Sequence, residues 1–126
     1  MNNINFEVVA IEILLPDTTS INMISIYSPP QIIIKLHNWQ ALINQLTGEG
    51  VISGDFNSHS PAWGCTFEDQ AGKNIIDNID NYSVVILNNG SNTMLPHPFR
   101  NASPVDLTIS SPLLVPSLAW EVYGEN

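Results

Sequence analysis

Val51-Ile52-Ser53-Gly54-Asp55-Phe56-Asn57-Ser58-His59-Ser60-Pro61-Ala62-Trp63-Gly64-Cys65 is the stretch on which the fold turns. A short apolar run rich in β-branched residues reads as a strand, and here it delivers a glycine and a carboxylate at its end. Alternation along a strand places Asp55 and Asn57 on one side and Phe56 in packing on the other. Gly54 lets a neighbouring backbone or a substrate come close. A carboxylate can order a water or a metal ion, and a carboxamide can donate to a charged oxygen. The pair therefore suits phosphate-ester chemistry. A strand that ends in an Asx-turn, with Asn57 capping its own backbone, would use the same residues.

Working outward, Phe6 to Leu15 is mostly apolar and reads as a strand closed by Pro16-Asp17. Ile21 to Tyr27 reads as a second strand, paired with the first as a hairpin and stopped by Pro29-Pro30. Ile32, Ile33, Leu36, Trp39, Leu42, Ile43 and Leu46 recur at helical spacing, with Gly48 and Gly50 closing that helix. Beyond the central loop, Ala71 to Tyr82 predicts a second amphipathic helix through Ile75, Ile76 and Ile79. Val84–Leu87, Val105–Ile109 and Leu118–Tyr123 predict strands, and Asn88–Arg100 an irregular segment. Strands alternate with helices, so the class is α/β.

The chain has 126 residues, room for one modest domain. Three Lys or Arg (Lys35, Lys73, Arg100) oppose twelve Asp or Glu, for a formal charge of −9. So few cations build no basic patch. That argues against strong autonomous nucleic-acid binding, which draws on cations that displace counterions. It does not exclude a nuclease site, where a bound metal supplies local positive charge. The single Cys65 excludes an intrachain disulfide and a cysteine-based zinc site, and reads as a buried structural thiol. No apolar run reaches membrane-spanning length, and Glu7 and Glu12 interrupt the N-terminal apolar residues, so no membrane partner and no signal peptide are expected. The location expected is intracellular.

Gly54-Asp55-Phe56-Asn57-Ser58-His59 followed by Trp63-Gly64 resembles the nuclease domain of non-LTR retrotransposons, within the endonuclease/exonuclease/phosphatase superfamily. Three further stretches agree in order and approximate spacing. Ile24-Ser25-Ile26-Tyr27-Ser28-Pro29-Pro30 resembles a strand ending in Tyr and a proline pair. Leu87-Asn88 followed by Thr93 resembles a late strand with its Asn and Thr. Ser103-Pro104-Val105-Asp106-Leu107-Thr108 resembles the family's Ser-x-x-Asp-Leu-Thr strand. The resemblance runs from about Val8 to about Tyr123.

This resemblance implies a partial four-layer α/β/β/α sandwich, with residues 1–126 as a single partial domain. It implies a Mg²⁺-dependent phosphodiesterase that nicks DNA, nuclear if part of an active element. Asp55 would orient or deprotonate the attacking water and serve as metal ligand. Asn57 would hold a phosphate oxygen, Tyr27 would contact the scissile phosphate, and Asp106 would orient a histidine. His59 would be a substrate contact. Plainer roles use the same side chains: Tyr27 packing on the prolines, Asp106 capping a turn or pairing with Arg100, and His59 as a loop hydrogen-bonder.

The family's metal-binding Glu strand and its closing Ser-Asp-His motif have no counterpart here. The expectation is therefore a fragment with little activity of its own, and one that exposes a sheet face through which it self-associates. Two other readings accompany the endonuclease: a non-catalytic remnant acting as a protein-interaction module, and a phosphatase of small phosphoesters, which suits the acidic charge.

Overall fold

The two N-proximal apolar runs form the hairpin that their turn residues dictate. The computed structural model describes residues 7–29, 34–46, 49–80, 82–91 and 106–121. Strand β1 (Glu7–Leu14) pairs antiparallel with β2 (Ser20–Tyr27) in an unbroken register from Glu7↔Tyr27 to Leu14↔Ser20. The turn between them is closed by Leu15 N–H donating to Thr19 O at 2.8 Å and by the Asp17 carboxylate accepting from Thr19 N–H at 3.0 Å.

Helix α1 (Leu36–Asn44) then carries the chain to β3 (Glu49–Asp55), which lies parallel to β2. The predicted helix face holds at Trp39 and Leu42, which are buried, but not at Leu36, which is exposed. Lys35 is extended and supplies no side-chain cap, so the helix begins only at Leu36. Ile32 and Ile33 lie outside the described residues.

A 3-10 turn (Pro61–Trp63) follows β3, with Ser60 Oγ accepting from Ala62 N–H at 3.1 Å. Helix α2 (Gln70–Ile79) comes next, with Asp69 as N-cap, and it stops three residues short of the predicted Tyr82. Strands β4 (Val85–Ile86) and β5 (Asp106–Ser110) complete a five-stranded mixed sheet of order β1-β2-β3-β5-β4.

The predicted strand Leu118–Tyr123 is not formed over its described part, Leu118–Glu121. Strand β5 is already paired on both sides, so no edge is open there. A 3-10 segment (Pro112–Ser117) runs instead toward the sheet face, and Trp120 Nε1 donates to Thr108 Oγ1 at 3.2 Å.

The two sheet faces differ. One bears Ile24, Ile26, Ile52, Leu107 and Ile109, buried under Trp39, Leu42, Trp63, Ile75 and Ile79. Trp39 stacks on Phe56, with ring centroids 6.2 Å apart, and its Nε1 donates to Asn74 Oδ1 of α2. The other face holds a groove of about 630 Å³ lined by Ile13, Ile21, Met23, Val51, Leu114 and Trp120. The helical and sheet layers match half of the expected four-layer sandwich. No described helix is long and apolar enough to cross a membrane.

Strands β2 and β3 come close at Gly54, where φ is +150° and an added Cβ would lie 1.8 Å from Ile26 O. No side chain fits between β2 and β3 there. Gly54→Ala is expected to cost about 3 kcal/mol or more, read as a lowered urea midpoint. Wild-type stability in that variant would show that the two strands can separate without loss.

Candidate active site

Strand pairing alone brings together side chains that the sequence singles out. Tyr27 on β2 is the register partner of Asp55 on β3, and Asp55 is the partner of Asp106 on β5. Partners in register point to the same face, so the three side chains stand side by side on neighbouring strands about 5 Å apart. They occupy one end of the face that also carries the apolar groove. Glu7 is the partner of Tyr27 and joins the same row from β1. Sequence reading placed Glu7 in its strand but could not place it in this row, because the signal is the register and not the motif.

The predicted sharing of one side by Asp55 and Asn57 through strand alternation does not hold. Strand β3 ends at Asp55, and Asn57 takes a left-handed backbone, φ 44°. The two residues are joined by an Asx-turn, in which Asp55 Oδ1 accepts from Asn57 N–H at 2.9 Å. The carboxylate thus shapes the turn that carries the carboxamide. Asn57 Nδ2 donates one proton to Ser28 O at 2.9 Å, tying the turn to the end of β2. A second Nδ2 proton remains on the same group. Ser28 N–H donates to Asp55 O at 2.8 Å, so the parallel pairing continues past Tyr27.

Asn88 holds the Asp106 end of the row. Its Nδ2 donates to Asp106 O at 2.7 Å, and its Oδ1 accepts from Thr108 N–H at 3.0 Å. The side chain imitates a strand partner where β4 has stopped. Thr93 and Arg100 lie outside the described residues, so the Asp106–Arg100 pairing is not addressed.

His59 has a carboxylate partner that sequence spacing did not reveal. Its Nδ1 lies 2.7 Å from Asp69 Oδ2, and its backbone N–H donates to Asp69 Oδ1 at 3.0 Å. Asp69 Oδ1 also accepts from Gly72 N–H at 2.7 Å, capping α2. One carboxylate therefore fixes a loop, an imidazole and a helix start. The only sequence trace of it is a capping residue ahead of a helix. Burial raises the Asp69 pKa, but the hydrogen bonds from His59 and Gly72 outweigh it and hold the carboxyl below its ordinary value.

Cys65 is a buried thiol outside any disulfide, as expected, and burial pushes its pKa up, away from thiolate character. Lys73 is 3.5 Å from Asp77 on the outside of α2. Among the described residues no group of three or more His, Cys, Asp or Glu is arranged to hold a metal ion.

Comparison with known proteins bears on the fold that carries these residues. A family model described as endonuclease-reverse transcriptase matches residues 21–126. The fold is similar to the endonuclease domain of TRAS1, a telomere-specific non-LTR retrotransposon, with a TM-score of 0.78 and 21% identity over 90% of this chain and 55% of that one. It is also similar to the catalytic domain of Xenopus laevis APE2, with a TM-score of 0.51 and 16% identity over 86% of this chain and 46% of that one. The chain thus spans about half the length of these structures. No curated protein sequence matches it. At these identities the structures establish the fold, a mixed α/β fold of the endonuclease/exonuclease/phosphatase type.

The Asp69 linkage makes stability depend on acid. A carboxyl whose folded pKa lies below its unfolded value contributes stability above about pH 4 and loses it as pH falls through the folded value. Asp69→Asn should therefore flatten the fall in urea midpoint between about pH 5 and pH 3. Parallel curves for the two proteins would remove Asp69 from that role.

Proposed function

The chain belongs to the endonuclease-reverse transcriptase family, and on that premise we propose that it carries the phosphate-cleaving end of a retrotransposon-type endonuclease, a Mg²⁺-dependent phosphodiesterase that nicks DNA. The observation that supports this most is the row Tyr27–Asp55–Asp106 at one end of the sheet, with Asn57 turned beside it. Asp55 orients or deprotonates the attacking water. The second Nδ2 proton of Asn57 donates to a non-bridging phosphate oxygen as charge develops. The Tyr27 hydroxyl, on a half-exposed side chain, contacts the scissile phosphate. Asp106 would position the histidine of the family's closing Ser-Asp-His motif, which has no counterpart in these residues, and His59 contacts substrate from the following loop.

Adjacent carboxylates offer hard oxygen donors, the type that Mg²⁺ takes one or two at a time beside substrate phosphates. Asp55 would hold the ion, with Asp106 next to it. Bound there, the ion would supply positive charge at a phosphate oxygen.

Exposed aliphatic side chains favour a second, non-catalytic reading. All eight residues of β1 are exposed, Val9 to 68% and Ile11 to 57%. β1 is the sheet edge, and the Leu15–Thr19 bond sets its odd residues toward β2. Ala10 and Glu12 therefore aim their backbone groups outward. Antiparallel pairing of two copies about Ile11 sets Val9 against Ile13 and Ala10 against Glu12, so no acid meets an acid. These features support a reading in which the chain self-associates through this edge. Light scattering should show dimers at micromolar concentration, and Ile11→Lys should return monomers. A wild-type monomer at high concentration overturns the pairing.

For the catalytic reading, supercoiled plasmid with Mg²⁺ is the test. Nicking by this chain should be slow, and Asp55→Ala should lower it by about 10²–10³-fold. Turnover that survives Asp55→Ala, or none with excess protein, removes the catalytic reading.

A further inference from the structure

Phe67 is 53% exposed, yet it is not a loose surface ring. It stacks on His59 with centroids 4.5 Å apart and planes 20° from parallel. With one ring face against the imidazole, the exposed half is the opposite face. His59 in turn cannot shift. Asp69 holds its ring and its backbone, and Asp69 N–H donates back to His59 O at 3.1 Å. Helix α2 is seated directly on this loop, since a Cβ on Gly72 would lie 1.9 Å from His59 O. The result is an aromatic surface open on one side and rigidly backed on the other.

Two constraints bear on what such a surface takes. His59 follows Asp55 by four residues, so its Cα lies within about 14 Å of that of Asp55 by chain reach. That is a few nucleotides at most from a phosphate held at the row. The second constraint is charge. Three cations against twelve acids leave little attraction for a phosphate backbone. Affinity for a nucleic acid must then come from a contact that needs no charge, and base–aromatic stacking is such a contact.

We propose that Phe67, backed by the Asp69-anchored His59, is a stacking platform for an unpaired base of a DNA strand next to the phosphate site. Its location relies on the nuclease reading; its binding does not. An unpaired base presents the free π-face that a paired, stacked base lacks. The rigid backing means that little ordering is needed on binding.

The test is fluorescence anisotropy of a labelled single-stranded DNA oligonucleotide with the protein in EDTA, so that no cleavage occurs. Tighter binding of the single strand than of its duplex is expected, with little change between low and moderate salt. Phe67→Ala should weaken binding about tenfold or more, and Phe67→Trp should retain it. An abasic oligonucleotide should bind wild type as weakly as the intact one binds Phe67→Ala, an arm that needs no variant to fold. Unchanged affinity in Phe67→Ala, or equal affinity for the abasic strand, overturns the platform. Equal affinity for RNA of the same sequence overturns its assignment to DNA. Failure of the nuclease reading would appear separately, as absence of Asp55-dependent nicking.

Discussion

The close pairing of β3 between β2 and β5 is the constraint on which the rest depends. Gly54 has no Cβ, so β3 lies against the Ile26 carbonyl, and the register that follows places Asp55 between Tyr27 and Asp106. The same register sets Ile52 against Ile24 and Ile109 on the opposite face, in the core. A one-residue slip would exchange the two faces, burying a carboxylate and exposing an isoleucine. The hydrophobic core therefore enforces the geometry of the polar row on the opposite face.

Each motif residue divides between these two tasks. Phe56 is locked into the core by stacking on Trp39, and Trp63 is buried with its Nε1 donating to Ser58 O at 3.2 Å. Between those anchors the loop is free to present polar groups. Asn57 and His59 are each held by a hydrogen bond from outside their own turn, to Ser28 and to Asp69. A loop pinned at two aromatic points and two polar points can hold side chains in place without being part of a strand.

Local signals were legible in the sequence and long-range ones were not. The N-terminal hairpin followed from Pro16-Asp17 between two apolar runs, and α2 followed from Ile75 and Ile79 at helical spacing. The motif's family resemblance was legible because residue types and order carry it. The alternation argument for Asn57 failed because strand periodicity ends where the Asx-turn begins, and the competing reading of a turn was closer. The His59–Asp69 contact was invisible because the two residues are ten apart, with no periodic element between them. Leu118–Glu121 reads as a strand by composition, yet strand formation needs a free partner edge, and β5 offers none.

The acidic row has a chemical reading beside its structural one. Asp55 and Asp106 are register partners on neighbouring strands, where two carboxylates need other groups or a cation to meet their charge. With Glu7 one strand beyond Tyr27, three acids share one row in a chain that has only three Lys or Arg in all. The arrangement makes chemical sense if the row works on a group that carries its own charge and is met with a cation. A phosphate ester with a hard divalent ion is such a group. The acidity that weighs against binding a nucleic acid by charge is thus compatible with cutting one, provided that contacts other than cations bring the strand to the site.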